Sequence, residues 1–244
     1  MAGMEGYGAQ ELAVKTKLVQ RNLAPVLAAA DRVPQPVRIV GVTKYVDASW
    51  CCAAVDAGLT ELGENRIGEG AAKYAAVRAS GRSLTAHLVG PIQSNKARKV
   101  PGAFDFVQAL DREKVAAILH QRCEELELEL PVLIEVNIDR EPQKAGVAPE
   151  QAGEFTQWVA ANCPRLAVRG LMCIPEWPAG GVVDAEYEHS ARESFARMKL
   201  LFDELQPTLG ASFDTLSMGM SADYQWALEA GATMVRVGRM LWEE

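Results

Sequence analysis

Short apolar runs alternate with stretches of helical period along almost the whole chain. The pattern opens with residues 9–31, where Leu12, Leu18, Leu23 and Leu27 fall on related faces and predict a leading amphipathic helix. After it, apolar runs that predict strands end near Lys44, Asn65, Gly90, Gln108, Asn137, Met172, Ser217 and Arg236. Each is followed by a segment of helical period or by a loop leading into one. The middle of the chain is clearest: Pro131-Val132-Leu133-Ile134-Glu135-Val136-Asn137 is rich in β-branched residues, and residues 149–162 carry Phe155, Trp158 and Val159 at helical spacing. The second and seventh strands carry the least pattern.

Repeated β-then-α steps with continuously apolar strands require a parallel sheet covered by helices. Eight such steps in 244 residues predict an α/β fold, a single (β/α)8 TIM-type barrel with an extra N-terminal helix, and one domain over residues 1–244. An open doubly wound sheet is the alternative. A barrel places its chemistry at the C-terminal ends of its strands. The polar residues expected there are Lys44, Glu64 and Asn65, His87 with Gln93-Ser94-Asn95-Lys96, Asn137, the segment Ser217 to Ser221, and Arg236-Val237-Gly238.

Charge and cysteine usage narrow the class of partner. The formal net charge is -7, and no run of lysine and arginine supplies the basic face that nucleic acid requires. Cysteines at 51, 52, 123, 163 and 173 show no C-x-x-C or Cys/His ligand spacing, as expected of reduced, mostly buried thiols in a cytoplasmic protein. The start of the chain lacks the basic and apolar regions of an export signal, and no apolar stretch approaches membrane-spanning length.

Lys44 closes the run Arg38-Ile39-Val40-Gly41-Val42-Thr43 ahead of a turn and a helix. Delivered by a buried strand to a barrel mouth, it is expected to be partly desolvated and a candidate for Schiff-base formation. The structural alternative is a strand-end lysine that snorkels or pairs with a carboxylate. Ser217-Met218-Gly219-Met220-Ser221 follows strand seven and opens a helix through Tyr224, Trp226 and Leu228, where barrels commonly bind phosphate. Ser221 is expected as helix cap and hydroxyl donor; an ordinary serine N-cap is the alternative. Gly238, after strand eight, offers bare backbone beside it.

Other motifs fail. The segment from Gly63 to Gly70 has the glycines of a nucleotide loop without the lysine and hydroxyl of a P-loop. The three histidines, His87, His120 and His189, lie far apart in sequence and form no set of four ligands at zinc-site spacing, so no metal is expected. His87 reads as a satisfied core histidine unless it faces the same mouth as Lys44. A Schiff-base lysine opposite a phosphate site, with an arginine at strand eight, is the constellation that would hold pyridoxal 5'-phosphate (PLP).

Val42-Thr43-Lys44, Gly63-Glu64-Asn65, the run from His87 to Lys96 (H-x-x-G-P-x-Q-x-N-K), Gly170 to Pro175, Ser217 to Ser221 (S-x-G-M-S) and Met234 to Gly238 together resemble the pyridoxal phosphate homeostasis protein family, in order and over nearly the whole chain. The resemblance implies a single barrel like the N-terminal domain of alanine racemase, which binds PLP covalently and acts in vitamin B6 and amino-acid homeostasis without established turnover. By it Lys44 matches the Schiff-base lysine, Ser221 and Gly238 phosphate contacts, Arg236 the arginine facing the pyridine nitrogen, and Asn65 and His87 polar residues at the mouth; Ser217 is expected to bind the cofactor as the first residue of the same phosphate cradle. The usual S-K-T-K-P is replaced by Thr43-Lys44-Tyr45-Val46-Asp47, losing a second lysine, and Arg239 stands where threonine is frequent.

An arginine at the ring nitrogen disfavours ring protonation and leaves a poorer electron sink, which argues against transamination or decarboxylation. The expected function is a carrier that holds PLP and hands it to PLP-dependent apo-enzymes, as a monomer without membrane association. The alternative is a monodomain amino-acid racemase with Tyr45 or a water as second base. A regulatory interaction protein that senses the cofactor is a third reading, with Trp177 between Pro175 and Pro178 as its docking point.

Overall fold

A computed structural model describes residues 8–178 and 180–244. The start of the chain read above as lacking an export signal falls on residues 1–7, outside the described residues. A leading helix α1 (Ala9–Ala30) precedes β1 (Arg38–Val42), α2 (Ala48–Asp56), β2 (Glu61–Glu64), α3 (Ile67–Ala79), β3 (Thr85–Leu88), β4 (Phe106–Leu110) and α4 (Glu113–Glu125). The second half runs β5 (Leu130–Glu135), α5 (Ala152–Asn162), β6 (Leu166–Met172), α6 (Ala185–Leu209), β7 (Thr215–Ser217), α7 (Tyr224–Glu229), β8 (Met234–Val237) and α8 (Arg239–Trp242).

The eight strands pair in sequence order, all parallel, into a closed barrel. Closure runs from Arg38 opposite Met234 to Gly41 opposite Val237, which disposes of the open sheet. Even the short β2 and β7 are strands of this ring. Among the described residues no helix is long and apolar enough to cross a membrane.

Side-chain alternation sorts each strand between two environments. Ile39, Leu62, Ala86, Leu88, Val107, Leu110, Val132, Ile134, Leu171, Leu216, Val235 and Val237 face outward into the large core shared with the helices. Their neighbours face the lumen, where Phe106, Ala109, Leu133 and Met172 form a small apolar plug. By the same parity Val40, Val42 and then Lys44 lie on the lumen side of the first strand. A register shift between Val107 and Leu110 turns both Gln108 and Ala109 inward, as a β-bulge does.

Three expectations need correction. The buried stripe of α1 is Val19, Leu23 and Val26, while Leu27 is 47% exposed, because the helix packs on α2 and α8 along that neighbouring stripe. After β3 there is no α-helix, only one 3-10 turn, Ala97–Lys99, since Gly90-Pro91 and Pro101-Gly102 bracket the segment with helix breakers. The helix expected to begin at Ser221 begins at Tyr224, with Asp223 as its N-cap. The five cysteines are buried and unbridged, in keeping with the sequence reading.

The last turn of the chain braces the first strand. Trp242 Nε1 donates to Val42 O at 2.9 Å and packs edge-on against Trp50 at 6.1 Å. At the other side of the barrel Gly170 is obligatory: a Cβ there would lie 1.8 Å from Thr215 O, inside the β6–β7 pairing.

Candidate functional site

Lys44 occupies the turn just beyond β1, and its side chain is exposed, with Nζ 4.8 Å from the Tyr45 ring centroid. The expected desolvation is therefore not realised: strand one ends two residues earlier, and the turn lifts the amine clear of the buried wall. What holds that turn is a cluster behind it. Thr43 is fully buried; its amide donates to Gly63 O at 2.8 Å, and its hydroxyl lies 3.2 Å from Glu64 Oε1 and 3.1 Å from the Tyr74 hydroxyl. Lys73 donates to Thr43 O at 2.7 Å and pairs with buried Glu64. This buried ion pair between β2 and α3 was not singled out in the sequence.

The loops after β7 and β8 form one construction. Ser221 Oγ accepts from the Gly238 amide at 3.1 Å, leaving the hydroxyl proton of Ser221 free to donate. Arg236 N donates to Gly219 O at 3.0 Å. Gly219 has φ 90°, and a Cβ there would stand 2.5 Å from Ala227 Cβ, so the tight passage into α7 requires glycine. Met220 N donates to Asp223 Oδ1 at 2.5 Å, and Asp223 accepts from the Tyr187 hydroxyl at 2.6 Å. Ser221 is thus a loop-to-loop tie, while Asp223 fastens the turn. Gly238 carries a less stringent requirement: an added Cβ would meet Val42 at ordinary contact, 3.5 Å.

Arg236 points into the lumen and is 3% exposed. Nη1 donates to Ser217 Oγ at 2.6 Å and Nη2 to Cys173 O at 2.9 Å. Burial pushes its pKa down from the ordinary arginine value, and the nearby Cys173, Asp223 and Glu135 only partly oppose this. Ser217 is completely buried: its hydroxyl accepts from Arg236 and donates to Gln108 Oε1 at 2.8 Å. The phosphate role expected of Ser217 does not fit, because the last residue of β7 has lumen parity and lies beside Arg236, not in the loop.

His87 is likewise displaced from the mouth. Fully buried, it contacts Glu61 Oε2 through Nε2 at 3.1 Å and Gln108 Nε2 through Nδ1 at 3.0 Å, and it stacks on Phe106 at 5.0 Å. Glu61 opens β2, so the ring is engaged toward the barrel floor; this is the satisfied core histidine of the sequence reading. Burial pushes its pKa down despite Glu61. Asn65 is half-buried at the rim of β2, where it lines a cavity of about 460 Å³ with Arg66, Glu69, Gln93 and Lys96. The structure so joins Ser217, Arg236, Ser221 and Gly238 through β7 and β8, with Lys44 across the neighbouring strand end and Asn65 one strand further round.

A feature absent from the sequence reading is an acidic pair on the far side of the same mouth. Glu135 follows Leu133 on the lumen face of β5, and Asp111 stands just past the end of β4, two residues after Ala109, so the two stand side by side. Glu135 is 9% exposed with Oε2 lacking a hydrogen-bond partner, and burial together with Asp111 raises its pKa to about 7. Alternation counted through the β4 bulge would have found the pair, but the bulge itself has no sequence mark.

A parallel eight-stranded barrel with a lysine at its mouth and two glycine-bearing loops tied across β7 and β8 is the class of alanine racemase N-terminal domains. That family matches residues 16–243, and the chain belongs to it. Within it, the chain is a member of the pyridoxal phosphate homeostasis protein family. Such a protein from Haemophilus influenzae is 36% identical over 222 residues, covering 91% of this chain and 90% of that one. Another, from Escherichia coli K12, is 36% identical over 222 residues, covering 90% and 91%. The structure of PipY from Synechococcus elongatus, with PLP bound, superposes with a TM-score of 0.80 at 30% identity, covering 92% of this chain and all of PipY. Alanine racemase of Clostridium difficile shares the fold, with a TM-score of 0.70 at 14% identity, but the match covers only 60% of it.

Proposed function

We propose that this protein binds pyridoxal 5'-phosphate at the barrel mouth through Lys44 and acts in intracellular PLP and amino-acid homeostasis. The observation that carries the reading is the tie between Ser221 and Gly238 beside buried Arg236, one strand from the end that presents Lys44. The donor set suits the cofactor: a hydroxyl proton and loop amides for a phosphate, and a guanidinium whose hydrogen bonds go to a hydroxyl and a carbonyl rather than to a carboxylate. When bound, PLP supplies an aldehyde that an amine can capture and an electron-withdrawing ring. Ser221 and Gly238 would anchor the phosphate, Arg236 would donate toward the ring nitrogen, and Lys44 would hold the aldehyde carbon as a Schiff base. Asn65 would border the mouth. An exposed lysine suits reversible capture, since the carbon it would hold stays open to attack by the amine of an acceptor lysine on an apo-enzyme, with the Lys44 amine as the leaving group.

Titrating the purified chain with PLP tests this. The expected result is a saturable visible absorbance band that borohydride abolishes, and that K44A fails to form. A band of equal amplitude in K44A would refute the assignment of Lys44.

A further inference from the structure

A file of polar groups, buried from His87 onward, crosses the lumen from the floor to Arg236. Arg38 Nε donates to Glu61 Oε1 at 2.9 Å, Glu61 Oε2 lies 3.1 Å from His87 Nε2, His87 Nδ1 lies 3.0 Å from Gln108 Nε2, Gln108 Oε1 lies 2.8 Å from Ser217 Oγ, and Ser217 Oγ lies 2.6 Å from Arg236 Nη1. Every link is forced in one direction. The Glu61 carboxylate can only accept, so His87 carries its proton on Nε2 and presents Nδ1 as acceptor. Gln108 must then donate through Nε2, which turns its oxygen to Ser217; Ser217 must donate to that oxygen, which leaves its lone pairs for Arg236. The groups facing His87 are Glu61, Arg38 and Asp105, and complete burial pushes the pKa of the ring down, in the direction of the neutral form that the file requires.

We propose that His87, Gln108 and Ser217 are positioning residues for Arg236: a one-way file of donors, anchored on Glu61 at the barrel floor, sets the direction of its guanidinium toward the bound ring. The inference rests on the cofactor reading above for what Arg236 faces, but the file itself stands without it. It explains why Ser217 and His87 are polar and buried yet remote from a phosphate. A lumen otherwise plugged by Phe106, Ala109, Leu133 and Met172 would favour apolar residues at these positions, since a buried polar group left unpaired is destabilising. Only Glu61 and Arg38, 22% and 38% exposed, open the file to solvent, so a change at the floor reaches the mouth through hydrogen-bond direction alone.

Two measurements test it. In cofactor-free protein, long-range 1H–15N spectra at neutral pH should show His87 as the Nε2–H tautomer, and E61M should abolish that single tautomer and broaden the Arg236 guanidinium signals. With PLP added, Q108M and E61M should still form the borohydride-fixed adduct on Lys44, while the pH midpoint of the visible band moves by about half a unit or more. An Nδ1–H or doubly protonated His87 in the wild type, or a band midpoint unchanged in Q108M, would overturn the proposal. Should E61M fail to fold, Q108M decides by itself. If the wild type forms no adduct at all, the cofactor reading fails, and the tautomer still judges the file.

Discussion

Trp242 Nε1 donates to the carbonyl of Val42 at 2.9 Å, so the last helical turn of the chain holds the last residue of the strand that presents Lys44. Terminus and candidate anchor are one structural unit. W242F removes the hydrogen bond and part of the ring contact with Trp50, and the expected loss is about 1 kcal/mol. W242A adds a cavity and should lose roughly 3 kcal/mol or more. Denaturant midpoints of the two variants check this, with PLP affinity expected to fall in the same order.

The tie between the β7 and β8 loops predicts a more local effect. S221A removes the acceptor of the Gly238 amide and the free hydroxyl proton together. With a hydrogen bond to a charged group contributing about 1.5–3 kcal/mol, PLP affinity should fall roughly 10- to 100-fold. Stability should change little. Equilibrium titration followed at the visible band, with a melting curve as control, separates the two.

Glu135 predicts a pH dependence with a defined sign. Burial raises its pKa in the folded protein from 4.5 to about 7, so the folded state disfavours the ionised form. The penalty is absent below about pH 4.5, grows as pH rises, and is complete above about pH 7, where it amounts to about 3 kcal/mol. E135Q removes it. Denaturation of E135Q and wild type at pH 5 and pH 8 should show the variant gaining relative stability at the higher pH.

Gly170 marks where the barrel admits no side chain. An added Cβ would overlap Thr215 O, at 1.8 Å, so G170A must push β6 away from β7 or fail to fold. Ser217, at the end of β7, would move with it. Reduced soluble yield, or a melting temperature lowered by many degrees, is the expected outcome on a thermal scan.

Much of the fold was legible because parallel barrel strands are buried on both faces and so appear as unbroken apolar runs. Strands such as β4 and β5 were plain in this way, while β2, Glu61–Glu64, and the three residues of β7 have too few apolar positions to form a run and were legible only from their place in the repeat. The segment after β3 misled because helical spacing says nothing about the breakers Pro91 and Pro101 at its ends. The placing of Lys44, Ser221, Arg236 and Gly238 at neighbouring strand ends was legible from position and motif. His87 was legible as a satisfied core histidine from its residue type, though the resemblance set it at the mouth, and Ser217 was set with the phosphate loop, since a motif marks a residue without saying which way its strand parity turns it. Counting inward and outward positions from Leu216 and Leu88, both in the outer core, would have placed them in the lumen. The Glu64–Lys73–Thr43 support and the Asp111–Glu135 pair were illegible, because their partners meet only when β2 packs on α3 and when a bulge resets β4.

The most direct test of the central claim is peptide mapping by mass spectrometry of PLP-loaded, borohydride-reduced protein. The account predicts the cofactor-derived mass increment on the peptide containing Lys44, at near-stoichiometric occupancy, and its loss in K44A. A principal adduct on another lysine, such as Lys73 or Lys144, or none above background, would contradict it.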